Sequence, residues 1–197
     1  VPVGKRGEAG FRTRDRYLSE DGESTICKQD TRYRFRHVSE GILLEWDAVF
    51  YNDERDFVFG DQEESGLAMR IASPFRVKGG NGRIVNDRGQ ENGAGTWGKP
   101  FKWISYSGEA EGKRVGMLLI PHPDNPRPSW SHSRDYGALV ANPFPRQPKE
   151  RREPYVTTTV KKGERFRLRY AVLIHESDAA AFDPAALARQ VRESVWD

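Results

Sequence analysis

The stretch Thr31-Arg32-Tyr33-Arg34-Phe35-Arg36-His37 changes character at every position. Successive side chains of an extended chain point to opposite faces, so Tyr33, Phe35 and His37 share one face and Arg32, Arg34 and Arg36 the other. A helix would scatter both sets around its circumference, whereas a half-buried strand separates them. Ser39-Glu40-Gly41 then supplies a turn, and residues 42–51 read as the returning strand, with Leu44, Trp46, Ala48 and Phe50 on one face. Glu45 and Asp47 fall on the other, where the hairpin sets them against Arg34 and Arg36 as surface ion pairs.

The same rhythm continues along the chain. Residues 66–75 predict a strand with Leu67, Met69 and Ile71 inward and Arg70 outward. Residues 101–106 and 114–120 read as a hairpin, and 155–160 with 164–176 as the last one, turning at Lys162-Gly163. Between them, residues 78–98 carry glycines at 79, 80, 82, 89, 93, 95 and 98, which predicts a long irregular loop of the kind that binds or covers ligands. Gly79-Gly80-Asn81-Gly82 is no phosphate loop, because no Lys-Ser/Thr follows it. One helix is expected, at the C-terminus: Asp183 suits the N-cap, Pro184 the first helical position, and Leu187, Val191 and Val195 recur every four residues. The first 25 residues show little periodicity apart from Phe11, Tyr17 and Leu18. The expectation is a mainly β chain: an antiparallel β-sandwich with long loops and a short C-terminal helix, residues 31–197 forming one domain and residues 1–30 a loosely ordered lead-in or edge strand.

Composition narrows the function classes. A chain of 197 residues fits a single large β domain. Its net charge of +3 arises from 32 basic and 29 acidic residues mixed along the chain, which is no nucleic-acid footprint. No apolar stretch approaches the roughly 18–20 residues that cross a bilayer, so a soluble chain is expected, cytoplasmic or exported. The lone Cys27 excludes an internal disulfide and a cysteine-rich metal site. A start at Val1, without Met or signal peptide, suggests a trimmed product. Nothing in the pattern calls for a cofactor or fixes the oligomeric state.

Site-type residues crowd into residues 121–137, where His122, Asp124, Arg127, Trp130, His132, Arg134, Asp135 and Tyr136 lie among four prolines that restrict the backbone. Three readings are open. His132 or His122 acts as general acid or base, tuned by Asp135 or Asp124, with Arg134 binding an anionic or hydroxyl-rich substrate and Trp130 stacking on it. The two histidines and a carboxylate hold a metal, though their spacing is not diagnostic. Or Arg134-Asp135 is a structural ion pair, Trp130 and Tyr136 fill the core, and the prolines shape a connection. Asp61-Gln62-Glu63-Glu64 reads as an acidic turn or as a source of a catalytic base. Trp97, Lys99 and Trp103 offer aromatic faces and a cation, as sugar sites do, and serve equally as core aromatics. His37 and His175, within strands, read as structural. No nucleophile-elbow sequence supports a serine triad.

Several strings together are familiar: Phe59-Gly60-Asp61-Gln62-Glu63-Glu64-Ser65-Gly66-Leu67-Ala68-Met69-Arg70, Trp97-Gly98-Lys99-Pro100, and His122-Pro123 through Trp130, His132, Arg134-Asp135-Tyr136-Gly137 and Asn142-Pro143-Phe144. From about residue 31 to 176 the chain resembles the PmoA-like family of unknown function. Its common label of methane oxygenase subunit conflicts with the lack of membrane helices here. The resemblance implies a β-sandwich and a role linked to bacterial sugar catabolism. It also implies an upstream His-rich segment, which this sequence lacks, so the chain would be an incomplete piece if that segment serves the site.

The leading expectation is a carbohydrate-active enzyme using acid–base chemistry on a sugar or sugar derivative, as an epimerase, lyase or hydrolase does. His132 and His122 are the proton-transfer candidates, Asp135 the orienting carboxylate and Glu64 a partner. Arg70, Trp97, Lys99, Trp130, Arg134, Tyr136 and Asn142 are the candidate substrate ligands. The alternative is a non-catalytic carbohydrate-binding module, in which Trp97, Trp103 and Trp130 form an exposed stacking row.

Overall fold

The alternating stretch at residues 31–37 lies inside a longer strand, and a computed structural model of the chain, which describes residues 7–60, 64–144, 157–178 and 182–196, shows what it pairs with. Strand β2 (Thr25–Val38) turns at residues 39–40 into β3 (Gly41–Tyr51), with Tyr33 opposite Trp46 and Arg34 opposite Glu45. β1 (Glu8–Leu18) pairs along β2 and forms the edge of the same sheet. Residues 8–18, expected as a lead-in or edge strand, form the edge strand of this sheet, and β2 begins at Thr25.

In chain order there follow β4 (Phe57–Phe59), β5 (Leu67–Arg70), β6 (Arg83–Asn86), the short helix α1 (Asn92–Thr96), β7 (Ile104–Ala110), β8 (Lys113–Pro121), β9 (Trp130–Arg134), β10 (Ala138–Asn142), β11 (Thr158–Val160), β12 (Arg165–Asp178) and helix α2 (Pro184–Trp196). A seven-stranded antiparallel sheet runs β1-β2-β3-β12-β8-β7-β6; β5-β10-β9 form a three-stranded sheet and β11-β4 a two-stranded one. The two small sheets share a core with one face of the large sheet. Trp46, Ala48, Phe50, Leu119, Tyr170 and Val172 meet Leu139 and Ala141 of β10, Phe57 of β4 and Val160 of β11. This is a sandwich whose second layer is split in two. Each fully buried Leu or Val in it contributes roughly 1.5–3 kcal/mol relative to exposure.

On the other face of the large sheet, Leu43, Leu118, Ile120, Ala171 and Leu173 pack under Ala188 and Val191 of α2. The helix is capped as its sequence implies: the Asp183 carboxylate accepts from the Ala185 and Ala186 amides, at 2.9 and 3.1 Å.

Three local expectations are corrected. Residues 158–160 do not form a hairpin with β12; they pair with β4, because β3 and β8 already occupy both edges of β12. Residues 78–98 are not one irregular loop: β6 and α1 interrupt them, and the Asn92 carboxamide oxygen ties the two by accepting from the Ile84 amide. The second half of the proline-rich segment is β9, not a connection, and Ser131, His132 and Ser133 on it are all buried. Asp61, Gln62 and Glu63 of the acidic turn and Tyr155 of the last expected hairpin lie outside the described residues.

Candidate functional site

The three-stranded sheet places its side chains by simple register. Val140 on the central strand stands between Ala68 and His132, and Ala138 between Arg70 and Arg134. Positions two apart share a face, so these six residues form two adjacent rows, while Leu67, Met69, Leu139 and Ala141 turn to the core. Small residues on the central strand, flanked by Arg70 and His132, leave a hollow of about 200 Å³, which Glu64, Ala68 and Tyr136 also line.

Local sequence explains how its walls arrive there. Arg134 and Ala138 close a hairpin over Asp135-Tyr136-Gly137, in which Gly137 takes φ of 100° and its amide donates to the Arg134 carbonyl at 2.9 Å. Gly66, with φ of 104°, passes so close to β10 that a Cβ would stand 2.1 Å from the Ala141 carbonyl oxygen, and this close approach brings Glu64 beside His132. Residues 98–101 run along the free edge of β9: the Gly98 amide donates to the Ser131 carbonyl (2.7 Å) and the Ser131 amide to the Lys99 carbonyl (2.9 Å). Trp97 thereby comes under Arg134, whose guanidinium carbon is 3.8 Å from the ring centroid.

At the centre, His132 Nε2 lies 3.3 Å from Glu64 Oε1 and also accepts from Arg134 Nε at 3.3 Å. The two contacts require opposite states of one atom. An unprotonated Nε2 accepts from Arg134, and a protonated Nε2 donates to Glu64. The His132 side chain is 4% exposed whereas the Glu64 side chain is 71% exposed, so the carboxylate reaches far more solvent than the base. Across the hollow the Arg70 guanidinium lies 5.5 Å from the ring centroid of the exposed Tyr136. Together these groups supply a proton-transfer atom, a carboxylate partner and the Arg70 cation around a small apolar floor, with Arg134 bonded to His132.

The other expected site residues lie elsewhere. His122 lines a separate hollow on the α2 side of the large sheet, with Glu45, Trp46, Asp47, Arg167, Arg169 and Val195. Its Nδ1 accepts from the Asp124 amide at 3.0 Å, which leaves the ring proton of the neutral form on Nε2. Burial, and then Arg169, push its pKa below the usual histidine value. Asp135 points its carboxylate at α1, accepting from the Gly93 amide at 2.7 Å, and its described bond is that helix contact instead of one to His132. The buried Asn142 accepts from the Phe144 amide at 2.7 Å and bends the chain after β10. Lys99 meets β9 through its backbone. Trp97 and Trp130 are half-buried, and Trp103 packs with the α2-side cluster; the three form no single exposed row. Among the described residues no three His, Cys, Asp or Glu side chains converge to hold a metal ion, and His122 and His132 line different hollows. Sequence reading missed Ala68, Ala138 and Val140, whose smallness makes the hollow; only the strand register reveals their role.

No helix of the described chain is long and apolar enough to cross a membrane. Comparison with curated proteins and with solved structures finds no match to this chain. One family match extends over nearly the whole sequence, residues 3–190, and on that coverage the chain belongs to the family of unknown function DUF6807.

Proposed function

We propose that the hollow on β5-β10-β9 is an acid–base catalytic site for a sugar or sugar derivative, with His132 as the proton-transfer residue. The observation that carries this reading is the position of His132 Nε2, between a hydrogen-bond donor on Arg134 and the carboxylate of Glu64. A buried imidazole held in that way accepts a proton without first shedding a hydration shell, and Glu64 stabilises the imidazolium that forms. For a substrate carbon beside a carbonyl, the C–H bond breaks and its proton passes to Nε2. The electron pair moves onto the carbonyl oxygen, where the Arg70 or Arg134 guanidinium neutralises the developing charge. Delivery of a solvent proton to the opposite face, with the proton on Nε2 passing to solvent, gives an epimer, and loss of a neighbouring leaving group gives a lyase product. Tyr136, which lines the hollow, is the proposed hydrogen-bond partner of substrate hydroxyls. The choice of sugars as the substrate class rests on the PmoA-like resemblance of residues 59–70 and 122–144 and on the fit of two arginines to hydroxyl- or carboxylate-bearing ligands.

The test is proton NMR of the protein in D2O with a panel of keto sugars, uronates and oligosaccharides. Deuterium entering beside a carbonyl, or a new product, is expected with wild type and absent with His132→Gln. Equal exchange by His132→Gln, or an inert wild type with every member of the panel, contradicts the proposal.

A further inference from the structure

The outer face of the seven-stranded sheet, beyond α2, carries a second polar region independent of the His132 hollow. Register aligns Arg12 with Arg32, Arg32 with Asp47 and Asp47 with Arg169; the next row runs Arg14, Asp30, Val49 and Arg167. These long side chains project from one face because paired residues of neighbouring strands point the same way. A groove of about 360 Å³ lies across β1, β2 and β3, lined by Arg12, Arg14, Asp30, Arg32, Asp47 and Val49 among others.

Its carboxylates are already committed. Asp30 pairs with Arg14 at 3.1 Å, and Asp47 binds the Arg167 guanidinium through both oxygens, at 2.7 and 2.6 Å. Neighbouring charges are likewise matched: Glu45 meets Arg34 and Arg36, and Asp124 meets Arg169. Arg12 and Arg32 differ. They are direct cross-strand neighbours of like charge, and neither has an ion-pair or hydrogen-bond partner among the described residues. Like charges directly opposite one another in a sheet destabilise it. The next like-charged pair, Arg16 and Lys28, lies outside the groove, and the Lys28 ammonium lies over the Tyr51 ring at 5.9 Å.

We infer that the Arg12–Arg32 groove is a binding site for a phosphate monoester group carried by a small molecule. Two uncommitted guanidinia side by side offer two planar forks, each able to bind two oxygens of one tetrahedral oxyanion. A phosphate monoester brings nearly two negative charges near neutral pH and cancels both cations, where a single carboxylate cancels one. Arg14, held by Asp30 at the groove wall, fixes the site's edge and adds no free charge.

The full chain is titrated with inorganic phosphate and with a hexose phosphate at constant ionic strength, following the arginine Nε–H signals by NMR and thermal unfolding by fluorimetry. Saturable shifts of the Arg12 and Arg32 signals and a rise in Tm are expected, with affinity falling at least tenfold in Arg12→Gln and in Arg32→Gln and unchanged in Arg16→Gln. Equal affinities for the two ligands assign binding to the phosphoryl group alone; tighter hexose phosphate binding means that the groove also reads the group attached. Shifts that stay linear, that chloride reproduces, or that Arg16→Gln abolishes equally overturn the inference. So does preferential binding of an oligonucleotide with dependence on Arg16, Arg165 and Arg167, which assigns the whole face to a nucleic acid. Fluorimetry without ligand confirms that the exposed Gln variants remain folded.

Discussion

The outer faces of the two layers carry the same kinds of residue and do opposite things with them. On the three-stranded sheet, Ala138 and Val140 stand on the central strand between Arg70, Arg134 and His132, so Arg70 and His132 stand beside a low floor and line a hollow. On the large sheet, long side chains stand beside long side chains, and most find a carboxylate within reach along a row or between neighbouring rows. Whether polar residues on a sheet face build a cavity or a neutralised surface thus depends on the size of what stands between them. Arginine count decides nothing by itself. Where matching fails, at Arg12 and Arg32, the flat face acquires its one uncommitted pair within the groove.

Six substitutions bear on that contrast. The largest effect belongs to His132→Ala, expected to lower kcat/KM on any substrate found by roughly 10²- to 10⁴-fold while the Arg12–Arg32 groove keeps its phosphate affinity; steady-state kinetics and titration of the same preparation compare the two faces. Leu139→Ala comes next. Leu139 is fully buried on the core side of β10, directly behind the hollow, and its truncation is expected to cost about 2–5 kcal/mol in urea unfolding.

A pH effect of comparable size comes from neither face's site. His175 on β12 stands in register between Gly41 and Gly116, is stacked on Phe182 at 4.7 Å, and has neither ring nitrogen hydrogen-bonded among the described residues. Burial, and then Arg114, push its pKa down to about 4. Because the unfolded chain takes up this proton near pH 6.5 and the folded one only near 4, stability is full above that window and falls as pH drops through it. The loss approaches roughly 3 kcal/mol, and His175→Leu is expected to flatten this part of the pH–stability curve measured by denaturant titration.

Asp135→Ala removes the acceptor for the Gly93 amide and is expected to cost about 1 kcal/mol of stability. A fall in kcat at a temperature where this variant is fully folded, as large as that of His132→Ala, would return Asp135 to the catalytic set. Smallest is Arg12→Gln in the absence of ligand: relief of the Arg12–Arg32 repulsion is expected to raise stability by a few tenths of a kcal/mol. Arg14→Gln, which breaks an exposed pair with Asp30, should lower it by less than about 1 kcal/mol. Opposite signs at neighbouring positions of one strand would mark Arg12 as retained for a reason other than stability.

Much of the fold was legible because strands that alternate advertise their faces. The β2–β3 hairpin, the inward Leu44, Trp46, Ala48 and Phe50, and the capped C-terminal helix all follow from local periodicity. The pairing of β11 with β4 was not legible, since a three-residue strand carries too little pattern to name a distant partner. β9 was hidden for another reason: Ser131, His132 and Ser133 are polar and buried, so the alternation that reveals a half-solvated strand is missing. Ser133 is instead satisfied by the Thr96 hydroxyl at 2.6 Å, a contact across 37 residues that no local window contains.

The site divides in the same way. Residue type alone singled out His132, Glu64, Arg70, Arg134 and Tyr136, because titratable and planar cationic groups are what proton transfer and oxyanion binding need. The same criterion also picked out His122, which the structure places in a hollow on the other side of the large sheet. Sequence determined the strands, their faces and the inventory of groups, all properties of period and side-chain chemistry. Tertiary structure alone decided which groups meet, because antiparallel register sets Ala138 and Val140 between Arg70, Arg134 and His132, and Gly66, where a Cβ would stand 2.1 Å from the Ala141 carbonyl oxygen, passes close enough to β10 to bring Glu64 alongside.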